Sequence, residues 1–285
     1  KPLLLSVGDG AKSFVGYVDY LEDVDGRLTI QDVSESNSFV NAGDKVPNFR
    51  FTPSIYWFRF SLDNQSGLEL LLFELGYPLL DYVSLFVKNS NGEYVEEKSG
   101  DMLPFSERAR KHRTITFEIV QAVNTAKTYY LRVNTSSSMQ MPLSVYTPAA
   151  FAEETGAENS ILGFYYGVII IMIVFNLLLG MNLRDKTYYY YIGFLASSLM
   201  FQVCLNGNAH RYLFGNYPQV ANYALPLCVF AGFAMAYRFC SLFLHLDEYS
   251  VRTQKFFWRV EILCWALSAL SLVLPYRLII KAVVI

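Results

Sequence analysis

The run ILGFYYGVIIIMIVFNLLLGM, Ile161 to Met181, is 21 residues without a charged side chain. At about 1.5 Å of rise per residue, a helix of that length covers roughly the 30 Å hydrocarbon core of a bilayer. Its Leu, Ile, Val and Phe side chains each favour insertion by about 0.3 to 0.6 kcal/mol and together outweigh Asn176. The run reads as a membrane span, and it splits the chain into halves that face different solvents.

Outward from this run the two halves differ in kind. The whole chain has 285 residues, 53% of them apolar and 16% aromatic, which is rich for an ordinary soluble domain. Residues 1–160 hold 14 Lys/Arg against 21 Asp/Glu, whereas residues 161–285 hold 9 against 4. An acidic aqueous part argues against nucleic acid as a partner, because phosphate binding needs clustered cations. Cys204, Cys228, Cys240 and Cys264 all fall in the apolar half, so no disulfide staples the aqueous one.

Beyond the first span, further apolar runs lie at about Tyr188–Leu205, Val220–Leu244 with Pro226 inside it, and Val260–Leu274. A fifth begins near Leu278 and is cut off at Ile285, as in a fragment of a longer protein. Arg184, Lys186, Arg238, Arg252, Lys255 and Arg259 gather on one side of these spans, against Arg211, Arg277 and Lys281 on the other. By the positive-inside rule the first set is cytoplasmic and residues 1–160 are outside. That domain needs an export signal, and Lys1 to Leu5 is too short for one, so a signal peptide is expected to have been removed. Asn176, Gln202 and Glu261 are costly in hydrocarbon and are expected to face helix contacts or an interface.

The aqueous half predicts strands over Phe14–Tyr20, Arg27–Val33, Ile55–Leu62, Leu68–Leu75, Tyr82–Lys88, Arg113–Val120, Thr128–Asn134 and Met141–Thr147. Short strands parted by Gly, Asn, Asp and Ser turns indicate an all-β sandwich or jelly roll. The expected units are therefore a periplasmic sandwich at 1–155 and a helical multi-span membrane domain at 156–285. Alternation sends Tyr56, Phe58, Phe60 and Leu62, with Tyr129, Leu131 and Val133, into the core. The opposite parity carries Trp57 and Arg59 on one strand and Tyr130 and Arg132 on another, with Tyr82, Ser84 and Glu118 also available. If those strands are neighbours, Trp57, Arg59, Tyr82, Glu118, Tyr130 and Arg132 form a ligand platform. Aromatic faces stack on sugar rings and Arg forks hold hydroxyls or carboxylates. The competing expectation is structural, with Arg59 or Arg132 paired to a carboxylate and Trp57 covered by a loop through Phe39 and Val40.

No catalytic constellation stands out. The three histidines, His112, His210 and His245, lack metalloprotease spacing, and there is no paired-Cys motif, Walker loop or nucleophile elbow. No cofactor and no metal site is expected. Asp19, Glu22, Asp23 and Asp25 crowd one turn with the oxygen density that Ca²⁺ favours, but their spacing does not match an EF-hand loop.

The residues add up to a family resemblance. YWFRFSLDN at Tyr56–Asn64, PLLDYV at Pro78–Val83, Gly100-Asp101 with Pro104-Phe105 and Arg108, YLRV at Tyr130–Val133 and Met141-Pro142-Leu143 resemble one known domain. It is the type-2 extracellular domain of bacterial seven-transmembrane receptors with diverse intracellular signalling modules. In the apolar half, GFYYG at Gly163–Gly167, Phe175-Asn176-Leu177, Arg184-Asp185 with Tyr188 and Tyr191, and Arg238-Phe239 followed by Phe243-Leu244 are similar to that family's first three spans. The resemblance implies a jelly-roll periplasmic sensor like carbohydrate-binding modules, seven helices in the inner membrane, and a cytoplasmic histidine kinase or diguanylate cyclase. The expected partners are a periplasmic ligand, a saccharide among the candidates, and the lipid bilayer, with a homodimer as one assembly. A different class, a membrane-anchored assembly protein whose sandwich contacts another protein's ectodomain, fits the same aromatic and Arg face. The coding sequence beyond Ile285 separates the two: an output domain favours signalling, an early stop favours assembly.

Overall fold

The structure is a computed structural model that describes every residue except Ala109, Pro275 and Ile285, and omits the side chains of residues 281–284. The end of the expected fifth span and the Lys281 side chain therefore lie outside the described residues. The chain divides into two compact units, Lys1–Gly156 with His210–Pro218, and Ala157–Ala209 with Gln219–Ile285.

The first unit is a β-sandwich. Its larger sheet has the order β4 (Val40–Asn41), β3 (Val18–Asp23), β6 (Ile55–Gln65), β11 (Thr125–Asn134), β8 (Tyr82–Lys88), β9 (Tyr94–Ser99), with β1 (Leu3–Ser6) running parallel to the far end of β6. The facing sheet has the order β10 (Ile115–Val120), β7 (Leu70–Leu75), β13 (Leu143–Tyr146), β2 (Ala11–Ser13). A two-stranded ribbon pairs β12 (Met139–Gln140) with β5 (Asn48–Arg50). Successive strands switch sheets repeatedly, from β6 to β7 to β8 and from β9 to β10 to β11, in the manner of a jelly roll.

Alternation explains why the sheets face each other. Tyr56, Phe58, Phe60 and Leu62 of β6 and Tyr129, Leu131 and Val133 of β11 all enter the core, where they meet Leu71, Phe73 and Leu75 of β7. Phe60 stacks on Tyr129 with centroids 5.7 Å apart, and Phe73 meets Tyr129 edge-on at 4.8 Å. Such pairs add about 0.5–1.5 kcal/mol each beyond their buried area. The Tyr129 hydroxyl would be stranded in this core, but it donates to Gln121 Oε1 at 2.9 Å. Gln121 Nε2 in turn donates to the Leu62 and Thr125 carbonyls, so the buried polar groups close on one another.

One expected strand is a helix. Arg27–Val33 contains the apolar and β-branched residues of a strand, yet Ile30–Glu35 forms α1. Thr29 caps it: its hydroxyl accepts from Asp32 N, and the Asp32 carboxylate accepts from Thr29 N at 2.9 Å. This reciprocal capping box satisfies two backbone donors and starts a helix where β propensity alone would extend the chain. The first predicted strand is also displaced, with β2 and β3 flanking a turn where one strand over Phe14–Tyr20 was expected.

The rest of the chain is helical: α2 (Pro148–Leu183), which begins in the first unit, α3 (Lys186–Leu205), α5 (Pro218–Phe243), α7 (Val251–Leu270) and α8 (Tyr276–Val284), with short α4 (Asn208–Tyr212), which straddles the two units, and α6 (Leu246–Tyr249) between them. Among the described residues, α2 and α5 are long and apolar enough to cross a membrane. Asn176 donates to the Met172 carbonyl of its own helix at 2.8 Å, so its amide is satisfied locally. Glu261 lies 3.8 Å from Arg238, which explains an acidic side chain beside apolar neighbours. The segment His210–Pro218 is compact with the β unit: Phe105 N donates to the Gly215 carbonyl at 2.8 Å, and the Phe105 ring meets His210 edge-on at 5.6 Å.

Candidate ligand-binding face

Strands β6, β11, β8 and β9 are consecutive neighbours, so the residues that face away from the core form rows across the sheet. One row reads Asp19, Arg59, Tyr130, Phe86, Glu96, and the next reads Trp57, Arg132, Ser84, Lys98. Asn134 and Tyr82 pair at the end. Trp57, Arg59, Tyr82, Tyr130 and Arg132 thus share one face, as the alternation predicts. Glu118 does not join them. It sits on β10 in the other sheet, where it pairs with Arg110, because parity along a strand says nothing about which sheet the strand belongs to.

Half of this face is closed. Trp57 is 1% exposed and Tyr130 7%, and with Phe86 they pack under Ile30 and Val33 of α1, flanked by Leu21, Leu28, Phe39 and Tyr94. Trp57 and Tyr130 therefore serve as a second small core and present no ring to a ligand. Phe39 covers this cluster, whereas Val40 stays 54% exposed. Arg59 is committed as well: its guanidinium donates to Asp19 at 3.0 Å and lies 4.2 Å over the Phe39 ring. The acidic turn has similar local duties. Asp19 holds Arg59 and accepts from Asn41, and the buried Asp23 carboxylate accepts from the Arg27 and Leu28 backbone.

The other half is open. Tyr82, Ser84, Glu96, Lys98, Leu103, Arg132 and Asn134 line a concave site of about 280 Å³. Arg132 is half-buried, its guanidinium 5.9 Å over the Trp57 ring, and among the described residues no carboxylate lies within ion-pair distance of it. Ser84 is a buried floor between Arg132 and Lys98, and Tyr82, at 46% exposure, is the open ring of the site. Gly100 fixes this corner: at φ 134° it passes the Asp81 carbonyl so closely that a Cβ would collide with it. Arg108 holds the same turn, donating twice to the Gly100 carbonyl at 3.2 and 2.7 Å. Sequence reading missed Lys98 and Glu96, since β9 is too polar to alternate visibly, and Leu103, which lies in the turn beyond that strand.

Two family models match the chain in tandem. The model described as 7TMR-DISM extracellular 2 matches residues 15–147, and the one described as 7TM diverse intracellular signalling matches residues 158–285. The chain belongs to the seven-transmembrane receptors with diverse intracellular signalling modules. As in that family, the β unit is the extracellular part and the helical unit the membrane part of a signalling protein. No curated protein matches this receptor chain. Among solved structures, the carbohydrate-binding module TmCBM61 in complex with β-1,4-galactotriose aligns with 48% of this chain and 81% of its own, at 8% identity and a TM-score of 0.22.

Proposed function

We propose that the protein is a multi-pass receptor of the bacterial inner membrane whose β-sandwich binds a small polar ligand, a saccharide among the candidates. Binding biases the arrangement of the helices toward one state, and a cytoplasmic output module reads that bias. One observation supports this reading: an extracellular domain and a 7TM signalling domain are joined on one chain, and the outer sheet face of the first carries an open concavity that holds Arg132 and Lys98. The ligand must bind the two arrangements unequally for any signal to pass. Its effect has short covalent routes, because the chain crosses between the two units at 156–157, 209–210 and 218–219.

Hydrogen exchange on the full chain in lipid nanodiscs, against a panel of neutral and acidic oligosaccharides, tests the receptor reading. A bound ligand is expected to slow exchange in β8, β9 and β11 by at least tenfold and to alter exchange in the helical unit. Protection restricted to β10 and β7, or a response only to another protein's ectodomain, contradicts it and favours an assembly role.

A further inference from the structure

The concavity differs from the aromatic platform that its sequence suggests, and the difference bears on the class of ligand. Neutral sugars are held by flat rings, and the two rings best placed for that, Trp57 and Tyr130, are sealed beneath α1 and Phe39. What stays open is polar, with two cations against one carboxylate: Arg132, Lys98, Glu96, Ser84 and Asn134, with Tyr82 at the margin.

The register sets the spacing of the two cations. Arg132 lies opposite Ser84 on β8, and Ser84 lies opposite Lys98 on β9. Facing residues on neighbouring strands stand about 5 Å apart, so Arg132 and Lys98 flank the small Ser84 side chain at roughly twice that distance. Two long side chains across such a gap can converge on one anion above the serine. Arg132 is prepared for this: it is half-buried, it rests on the Trp57 ring, and among the described residues it has no carboxylate partner. Arg59, one row away on the same face, has Asp19. A guanidinium held in place with its fork unoccupied matches a planar carboxylate. Lys98 does have a neighbour, Glu96 at 3.5 Å, but both side chains are solvent-exposed, and such pairs are weak and readily exchanged.

We propose that this cavity takes an acidic saccharide, a uronate, with its carboxylate held between Arg132 and Lys98 above Ser84 and its ring against Tyr82. This rests on the reading of the β unit as the ligand-binding part of the receptor. The site then selects charge first and sugar shape second, and affinity falls as salt rises.

Titration calorimetry on the full chain in nanodiscs, with trigalacturonate, galactotriose and sodium sulfate as probes, decides it. Trigalacturonate is expected to bind at least tenfold tighter than galactotriose. Arg132→Gln is expected to weaken it at least tenfold, and Arg132→Lys by less, since lysine keeps the charge and loses the fork. Circular dichroism and melting of both variants report whether the sandwich is intact; if Arg132→Gln does not fold, Arg132→Lys carries the comparison. Trigalacturonate binding that is absent, or unchanged in the Arg132 variants, overturns the proposal. So does sulfate competing as strongly as the sugar acid, which would mark an unselective anion site. Galactotriose binding equally well and weakening in Tyr82→Ala overturns the acidic class while leaving the receptor reading intact. Failure of that reading shows instead in the exchange experiment, as no protection of this face by any saccharide.

Discussion

Trp57→Ala is expected to destabilise the β unit by about 3–5 kcal/mol, the range for removing a buried large aromatic. Trp57 is 1% exposed and is among the largest fully buried side chains. Its ring meets Phe86 at a centroid separation of 5.3 Å, and the cluster around it ties α1 to the outer face of the larger sheet. The truncation leaves a cavity that α1, six residues long, cannot refill without leaving its capping box. Trp57→Phe separates apolar packing from polarity. Among the described residues the Trp57 indole N–H has no acceptor, so phenylalanine removes an unsatisfied buried donor while keeping most of the apolar contact. A cost clearly below that of Trp57→Ala is expected for it, because phenylalanine refills most of the ring volume and leaves a smaller cavity. Pulse proteolysis of the full chain in detergent, which reads the free energy of opening, checks both values. Equal costs for the two variants would show that the indole N–H is essential and that this account of the outer cluster is wrong.

Acidification gives the second large effect. His112 and His210 are 5% and 4% exposed. Burial, reinforced by Arg113, Arg211, Arg110 and Arg108, lowers His112 from 6.5 to about 4, and burial with Arg108 does the same to His210. The unfolded chain takes up a proton at each site near pH 6.5, while the folded chain resists until about pH 4. Their contribution to stability is therefore fully present above pH 6.5 and is lost as pH falls from there toward 4. At 1.36 kcal/mol per pH unit, moving from pH 7 to pH 5 costs about 2 kcal/mol per histidine and about 4 for the pair. The buried Asp81 and the partly buried Glu97, both raised by burial, act in the opposite sense, so the wild-type slope alone is not the test. Relative to the wild type, His112→Gln is expected to reduce the loss between pH 7 and pH 5 by about 2 kcal/mol, and His112→Gln with His210→Gln by about 4. An unchanged slope in the double variant would mean that these histidines do not govern the acid sensitivity.

How far sequence reaches depends on which physical term decides each element. The strands β6 and β11 alternate apart from the aromatic interruptions Trp57 and Tyr130, so their core faces and the parity of the shared outer face are legible in the sequence. The capping pattern that makes α1 is local too, but Thr29 and Asp32 compete with an apolar, β-branched composition, and reading by composition favours the wrong element. The short strands β1, β2, β4, β5 and β12 owe their existence to partners far along the chain, as in the parallel pairing of Leu3–Ser6 with Leu62–Gln65, and carry little periodicity of their own. The candidate site suffers from the same limit. Parity finds Arg132 and Tyr82, but only tertiary packing decides that α1 covers Trp57 and Tyr130, that Glu118 belongs to the other sheet, and that Lys98 stands beside Ser84. The first apolar run lies at the other extreme, where composition alone is the physics: Ile161 to Met181 lies inside one continuous helix, Pro148–Leu183.

The receptor reading requires that the β unit, joined to a helical membrane domain, lies outside the cytoplasm, and one labelling experiment tests this directly. Asn91→Cys places a thiol on the exposed turn between β8 and β9, while the native cysteines, Cys204, Cys228, Cys240 and Cys264, all lie in the helical unit and serve as background. A membrane-impermeant maleimide is expected to label Asn91→Cys in intact spheroplasts as fully as after lysis. Labelling that appears only after lysis would put the sandwich in the cytoplasm and contradict the receptor.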